Sequence, residues 1–275
     1  MSKFIRFATA AAISLALLTF SAALFSGCAA GRDQAATRTF RVMTYNIHHG
    51  EGVDGKVDLP RIAEVIKRER ADIVALQEVD RGVERTGRRD LPAELAALTG
   101  MTCFFSNNFH FQGGEYGNAV LTRFPVKRLA NTHFVKVNEV EQRGMLQVTL
   151  DLWGSELVFM VTHLDYRPDD AARWSNVGEI ETLAKQYRSR PVMLCGDFND
   201  VSTNRVCRRL NETFDDTWAL AGQSDGFTIP AQKPRKRIDY IWISKDKSLV
   251  PLKAWVPQTD ASDHLPVVGE FRFTK

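Results

Sequence analysis

The sequence predicts an α/β domain built as a four-layer sandwich, two packed mixed β-sheets flanked by helices. Ten short segments are rich in β-branched and aromatic residues and bounded by Gly, Pro, Asn or Asp, the signature of strands. Only three segments show helical spacing, so strands outnumber helices by more than alternating βαβ units would give, and the surplus belongs to a second sheet. A chain of 275 residues with 44% hydrophobic and 25% charged content is long enough to bury one large core, with helices covering the outer sheet faces.

The chain opens with Lys3 and Arg6, then an apolar stretch over 8–25 ending in Leu24-Phe25-Ser26-Gly27-Cys28. This is the layout of a secretory signal over 1–27, too short and Ala-rich for a membrane span. Its end resembles the bacterial lipobox, with Phe25 where Leu is usual, which makes Cys28 the expected lipidation site. Residues 28–39 are small and polar and read as a tether. Ala29 rather than Asp after the cysteine resembles sorting to the outer membrane, so the expected location is its periplasmic face, with the lipid as the only membrane contact and a monomer as the expected state.

The domain then spans 40–275. Strands are expected over 40–47, 73–77, 102–106, 118–122, 126–135, 145–153, 157–163, 192–195, 238–243 and 267–273. The segments 145–153 and 157–163 flank Gly154-Ser155-Glu156 and read as a hairpin. Asp58 can cap a helix with Pro60 in its first turn and Leu59, Ile62, Val65 and Ile66 on one face. Asp90 can cap another carrying Leu91, Leu95 and Leu98, ended by Gly100. The longest helix is expected over 169–189, where Trp174, Val177, Ile180, Ala184 and Tyr187 form a core stripe. Gly113-Gly114-Glu115-Tyr116-Gly117 reads as a flexible loop.

The net charge of +3 does not call for a polymeric nucleic-acid partner, because nonspecific binders carry a strongly basic surface. Past Cys28, three cysteines remain, Cys103, Cys195 and Cys207. They cannot all pair within the chain and have no zinc spacing, so no essential disulfide is expected.

Four strand ends carry the chemistry: Tyr45-Asn46, Gln77-Glu78, Gly196-Asp197-Phe198-Asn199-Asp200, and Ser262-Asp263-His264-Leu265-Pro266 beyond the strand over 238–243. Carboxylates and carboxamides gathered in this way hold a hard divalent cation, Mg²⁺ or Mn²⁺, against a phosphate. Glu78 is the natural anchor, and Asn46 can add an oxygen or an amide donor. Asp197 and Asn199 alternate around Phe198, so extended backbone would point both to one side. Asp239 and His264 suit a carboxylate–imidazole pair. Asn118 and Arg143 are candidates for substrate oxygens, Arg143 by a bidentate clamp or alternatively as a strand cap. The run Lys233-Pro234-Arg235-Lys236-Arg237 is a solvated loop or a rim that attracts anions. His48, His49, His110 and His133 read as structural or rim residues.

In order along the chain, Tyr45-Asn46, Leu76-Gln77-Glu78, Gly117-Asn118-Ala119-Val120-Leu121, Thr162-His163-Leu164-Asp165, Gly196-Asp197-Phe198-Asn199, Arg237-Ile238-Asp239-Tyr240-Ile241 and Ser262-Asp263-His264-Leu265-Pro266 resemble the endonuclease/exonuclease/phosphatase superfamily. That group includes pancreatic-type deoxyribonucleases, abasic-site endonucleases, inositol-polyphosphate 5-phosphatases and sphingomyelinases. The resemblance implies a metal-dependent phosphoesterase with Asn46, Glu78 and Asp263 at the metal. It makes Asp197 the residue that activates water, with Asn199, His163 and the Asp239–His264 pair at the phosphate and Asp165 able to orient His163. Hydrolysis of phosphate mono- or diesters on the exported face is the first expectation. A nuclease acting on DNA or RNA is the alternative, and a non-catalytic binding lipoprotein ranks below both.

Overall fold

The computed structural model describes residues 38–138 and 141–274. The expected signal segment over 1–27 and the tether up to residue 37 lie outside them, as does Cys28. Twelve strands and five α-helices are formed by the described residues. In order they are β1 (Thr39–Asn46), α1 (Leu59–Glu69), β2 (Ile73–Arg81), α2 (Leu91–Thr99), β3 (Thr102–Phe111), β4 (Gly114–Thr122), β5 (Val126–His133), β6 (Gly144–Leu152), β7 (Ser155–His163), α3 (Ala171–Lys185), β8 (Val192–Asp197), α4 (Arg205–Thr213), β9 (Phe214–Asp216), α5 (Thr217–Ala221), β10 (Asp239–Ser244), β11 (Leu249–Trp255) and β12 (Val267–Phe273).

Two six-stranded sheets result, ordered β11-β12-β1-β2-β4-β3 and β5-β6-β7-β8-β10-β9. Each is antiparallel except for one central parallel pair, β1 with β2 and β7 with β8. Strand alternation sorts the side chains into layers. Val42, Ile73, Ala75 and Val120 face Val148, Phe159, Val161 and Ile241 in the core between the sheets. Met43, Val74 and Leu76 point the other way, against Ile62 and Val65 of α1 and Leu91 and Leu95 of α2. On the opposite outer face Met160, Leu194 and Trp242 meet Val177 and Ile180 of α3 and Leu210 of α4. The four layers expected from the sequence are present.

Local signals placed two helix starts correctly. Asp58 accepts from the Arg61 N–H and Asp90 from the Ala93 N–H, each before a proline in the first turn, satisfying donors that helix geometry leaves open. Helix α3 is shorter than expected, and Trp174 is not core: it is 36% exposed, with the guanidiniums of Arg205 and Arg209 over its ring. The loop expected over 113–117 is instead the turn and start of a hairpin, since β3 runs on to Phe111 and β4 begins at Gly114. Gln112 and Gly113 both have positive φ, 45° and 78°, as a two-residue hairpin turn requires. Strands β9 and β11 and helices α4 and α5 had no counterpart in the sequence reading.

The topology carries polar strand ends to one edge. Asn46, at the end of β1, lies beside Gln77 in the middle of β2, where the β1–β2 pairing ends. In the second sheet, His163, Asp197 and Asp239 form one row across β7, β8 and β10.

Candidate active site

Asp197 ends β8 with its side chain buried, 1% exposed. Gly196 before it lies so close to β7 that a Cβ would sit 2.0 Å from the Thr162 carbonyl oxygen, so only glycine lets the row close up. After Asp197 the chain turns. Asn199 takes φ 50° and its N–H donates to Asp197 Oδ1 at 2.8 Å. Asp197 and Asn199 therefore meet through an Asx turn, not through the extended alternation expected from sequence.

Asn46 joins the two sheets. Its Nδ2 donates to Glu78 Oε1 and to Asp197 Oδ2, both at 3.0 Å, while its Oδ1 accepts from the His48 N–H at 3.0 Å. The neighbours fix this orientation, because the flipped amide would set its oxygen against two carboxylates. The side of Asn46 facing the carboxylates is thus its NH₂, and its oxygen is already engaged. Glu78 sits where the β2–β4 register shifts between Leu76 and Val79, with φ 58°. A non-glycine residue held in the left-handed region at a bulge is backbone strain located at a candidate ligand.

His264 packs behind Asp197. Its Nδ1 lies 2.9 Å from Asp239 Oδ2, and its Nε2 lies 3.7 Å from Asp197 Oδ2. Burial pushes its pKa down, but Asp239 and then Asp197 outweigh burial and raise it to about 10. The ring is therefore a cation at neutral pH. Asp197 moves up to about 7, through burial and the nearby Asp239. His163 goes the other way, held well below its usual value by burial and then Arg143. It is a neutral imidazole whose Nε2 faces Asn199 Nδ2 at 3.1 Å. The same amide also donates to the Leu164 carbonyl.

Glu78, Asp197, Asn199, His163, His264 and Arg143 share one cavity of about 310 Å³. Arg143 is 3% exposed; one nitrogen bonds Glu141 at 2.8 Å, while Nε and Nη1 are buried without a protein partner.

Three sequence candidates stand elsewhere. Asp165 binds Arg167 through Oδ1 at 3.2 Å and does not orient His163, whose Nδ1 has no protein partner. Asn118 is buried outside the cavity lining, with a 3.5 Å contact to the Gly144 carbonyl. Asp263 has a side chain 46% exposed, 3.9 Å from His48, and also lies off the lining. In the basic run, Arg237 is tied to buried Asp216.

The sequence reading missed Arg85, Phe109, Phe111, Tyr116, Glu141 and Tyr166, which complete the cavity wall. Three of the six, Phe109, Phe111 and Tyr116, come from the far end of the β3–β4 hairpin, where a strand was not expected. His48 and His49, read as structural or rim residues, form a cluster with Glu51, their ligand-type atoms within 4.8 Å of one another. His49 is lowered to about 4 by burial and then Arg85.

The carboxylates suit a hard cation. Glu78 offers oxygen donors at the cavity wall, Asp239 Oδ1 is buried and unpartnered, and Asp197, raised by burial and then by Asp239, adds a further carboxyl oxygen beside them. The cluster of Asp197, Asp239 and His264 also has ligand-like spacing, with His264 Nδ1 engaged by Asp239, and Glu78 is the candidate anchor on the cavity wall.

Comparison with known proteins agrees with this geometry. The chain is 29% identical over 255 residues to the uncharacterized protein YbhP of Escherichia coli (strain K12), covering 86% of this chain and 98% of that protein. A crystal structure of an endonuclease/exonuclease/phosphatase from Beutenbergia cavernae superposes with a TM-score of 0.72 at 25% identity, over 86% of this chain and 72% of that one. A mannosyl-6-phosphatase from Bacteroides thetaiotaomicron shares the fold, with a TM-score of 0.73 at 18% identity over 85% of this chain and 100% of that one. The model of the Endonuclease/Exonuclease/phosphatase family matches residues 43–264, a span that holds every side chain of the cavity, and the chain belongs to that family.

Proposed function

We propose that this protein is a Mg²⁺- or Mn²⁺-dependent hydrolase of phosphate esters, exported and anchored through a lipid on Cys28. The observation that carries the catalytic reading is the Asn46 amide, which ties the candidate metal carboxylate Glu78 to the candidate base Asp197 within one cavity. A divalent ion at Glu78 would supply Lewis-acid polarisation of a phosphoryl oxygen.

The chain's own residues do the rest. Asp197, with a pKa near 7, is matched to accept a proton from water at neutral pH. Its Oδ1 is held by the Asn199 N–H, leaving Oδ2 toward Asn46 and the two histidines. His264, kept cationic by Asp239, donates from Nε2 to a phosphoryl oxygen as negative charge grows there. Arg143 offers its two unpartnered nitrogens to the other oxygens. Neutral His163, oriented by Asn199, adds a further polar contact.

Purified protein should hydrolyse an aryl phosphate with Mg²⁺ or Mn²⁺ and lose this activity in EDTA. Turnover unaffected by chelation would refute the metal-dependent reading. The signal-like segment and lipobox support the anchored location. Cys28→Ser should abolish palmitate labelling and release the protein from the membrane fraction, and unchanged labelling would refute lipidation.

A further inference from the structure

One half of the cavity's twelve lining residues is accounted for by the phosphoryl chemistry; the other half of the lining is Phe109, Phe111, Tyr116, Arg85, Glu141 and Tyr166. We propose that this second half is a subsite for a single uncharged sugar ring bearing the scissile phosphate, so that the substrate is a sugar phosphate and not a nucleic-acid strand. The inference rests on the phosphoesterase reading above and adds the identity of the esterified group.

The wall carries three aromatic rings set at angles to one another, 72° between Phe109 and Phe111 and 45° between Phe109 and Tyr116. Phe109 and Phe111 are two residues apart on β3 and so share a face, with ring centroids 6.2 Å apart. Phe109 also meets Tyr116, its cross-strand partner in β4, at 5.0 Å. A sugar ring presents C–H groups on its faces and hydroxyls around its rim. Its faces suit flat apolar surfaces, and its rim needs a few placed donors and acceptors.

Both kinds of polar group are present in charge-neutral form. Arg85 stacks on Phe111 at 4.9 Å and on Tyr116 at 5.5 Å. Its Nε and Nη2 bind the buried Asp80 at 2.8 and 2.9 Å, which cancels its charge while other N–H groups of its five remain. Glu141 supplies an acceptor and is paired with Arg143 at 2.8 Å.

Each arginine of the cavity thus has its own carboxylate. A nucleic-acid strand carries a charge about every 3.4 Å and is held by a track of unpaired cations, whereas here both arginines of the lining are already paired. The volume of about 310 Å³ is at the small end for ligand pockets, room for one ring and its phosphate.

The test compares kcat/KM of the purified protein, with saturating Mg²⁺, on hexose 1- and 6-phosphates, on glycerol phosphate as a ringless ester, and on a single-stranded DNA oligonucleotide. A hexose phosphate should exceed both others at least tenfold. Phe111→Ala should reduce the hexose phosphate value at least tenfold more than the glycerol phosphate value. Phe111→Leu should do the same, because it keeps apolar bulk but loses the flat face, and thermal melting confirms that both variants fold. Preference for the oligonucleotide, or equal losses on ring and ringless esters, would overturn the sugar subsite while leaving the phosphoesterase reading intact. No hydrolysis of any phosphate ester, aryl phosphate included, would overturn both.

Discussion

Glu78 is held at φ 58° where glycine would sit without strain, and its carboxylate shares Asn46 with the carboxyl of Asp197. Such strain costs on the order of 1 kcal/mol and persists because the surrounding structure enforces it. Glu78→Gly should therefore abolish turnover, by about a hundredfold or more, while leaving the melting temperature in EDTA equal or higher; a loss of both activity and stability would show that the carboxylate is structural. Asp197 gives a pH signature. Its carboxyl is raised from 3.8 to about 7 by burial and by Asp239, so the folded state favours the protonated form. The associated stability is fully present below the unfolded value and is lost as pH rises through 7. In EDTA the melting temperature should fall between about pH 4 and pH 7, relative to an Asp197→Asn variant that has no such carboxyl to ionise. Parallel pH profiles for the two proteins would sink this assignment. His264 has the opposite chemistry: Asp239 and Asp197 raise it to about 10, so its pairing persists through neutral pH and fades only as pH rises through that value. Asp239→Asn should cost about 3–5 kcal/mol, as breaking a buried pair does, and should lower kcat by roughly 10²–10³ through loss of the oriented donor; denaturant unfolding and steady-state rates read the two separately.

Elements were legible in the sequence where local chemistry decides them. Asp58-Leu59-Pro60 and Asp90-Leu91-Pro92 announce helix starts, and the runs at β1, β2, β7 and β12 are apolar enough to read without tertiary information. The hairpin β3–β4 was only half legible. Its outer end, Asn107 to Phe111, alternates polar and aromatic side chains around a register shift between Asn107 and Phe109, and its turn glycines resemble a loop. That misreading hid the three aromatic residues of the cavity wall that the hairpin supplies, Phe109, Phe111 and Tyr116. Strand β11 was missed because Pro251 interrupts it at another register shift, as proline does on an edge strand. At the site, Glu78, Asp197, Asp239 and His264 were found from strand ends and Arg143 as a clamp-or-cap candidate, whereas Arg85 was not found, since its place depends on Asp80 and two aromatic rings outside its own element. Close strand approach gives an element-scale prediction. Gly196→Ala would force a Cβ to within 2.0 Å of the Thr162 carbonyl oxygen, pushing β7 from β8. The expected loss is about 3 kcal/mol or more, with a fall in kcat as His163 and Asp197 separate; a fully active variant of unchanged stability would contradict the role assigned to this contact.

The described residues form two sheets joined at their polar edge. The apolar core fills the space between them, but at the site the link is polar. Asn46 of the first sheet reaches Asp197 of the second, and Ser262, in the segment before β12, donates to the Asn46 carbonyl at 2.8 Å. Carboxylates from both sheets meet at this junction, Glu78 from one and Asp197 and Asp239 from the other, held by the Asn46 amide and His264. A divalent cation held by carboxylates of both sheets would bind only when both sheets are in place, so its binding energy would become folding stability. At a hundredfold excess over its dissociation constant the gain is about 2.7 kcal/mol, which for a domain of this size corresponds to roughly 5–10 °C in melting temperature. Adding Mg²⁺ or Mn²⁺ to EDTA-treated protein should produce an upward shift of this order, and Glu78→Gln should remove most of it. Scanning calorimetry measures both. An equal shift in the variant would place the ion elsewhere on the molecule, and the His48, His49 and Glu51 cluster would be the next position to test.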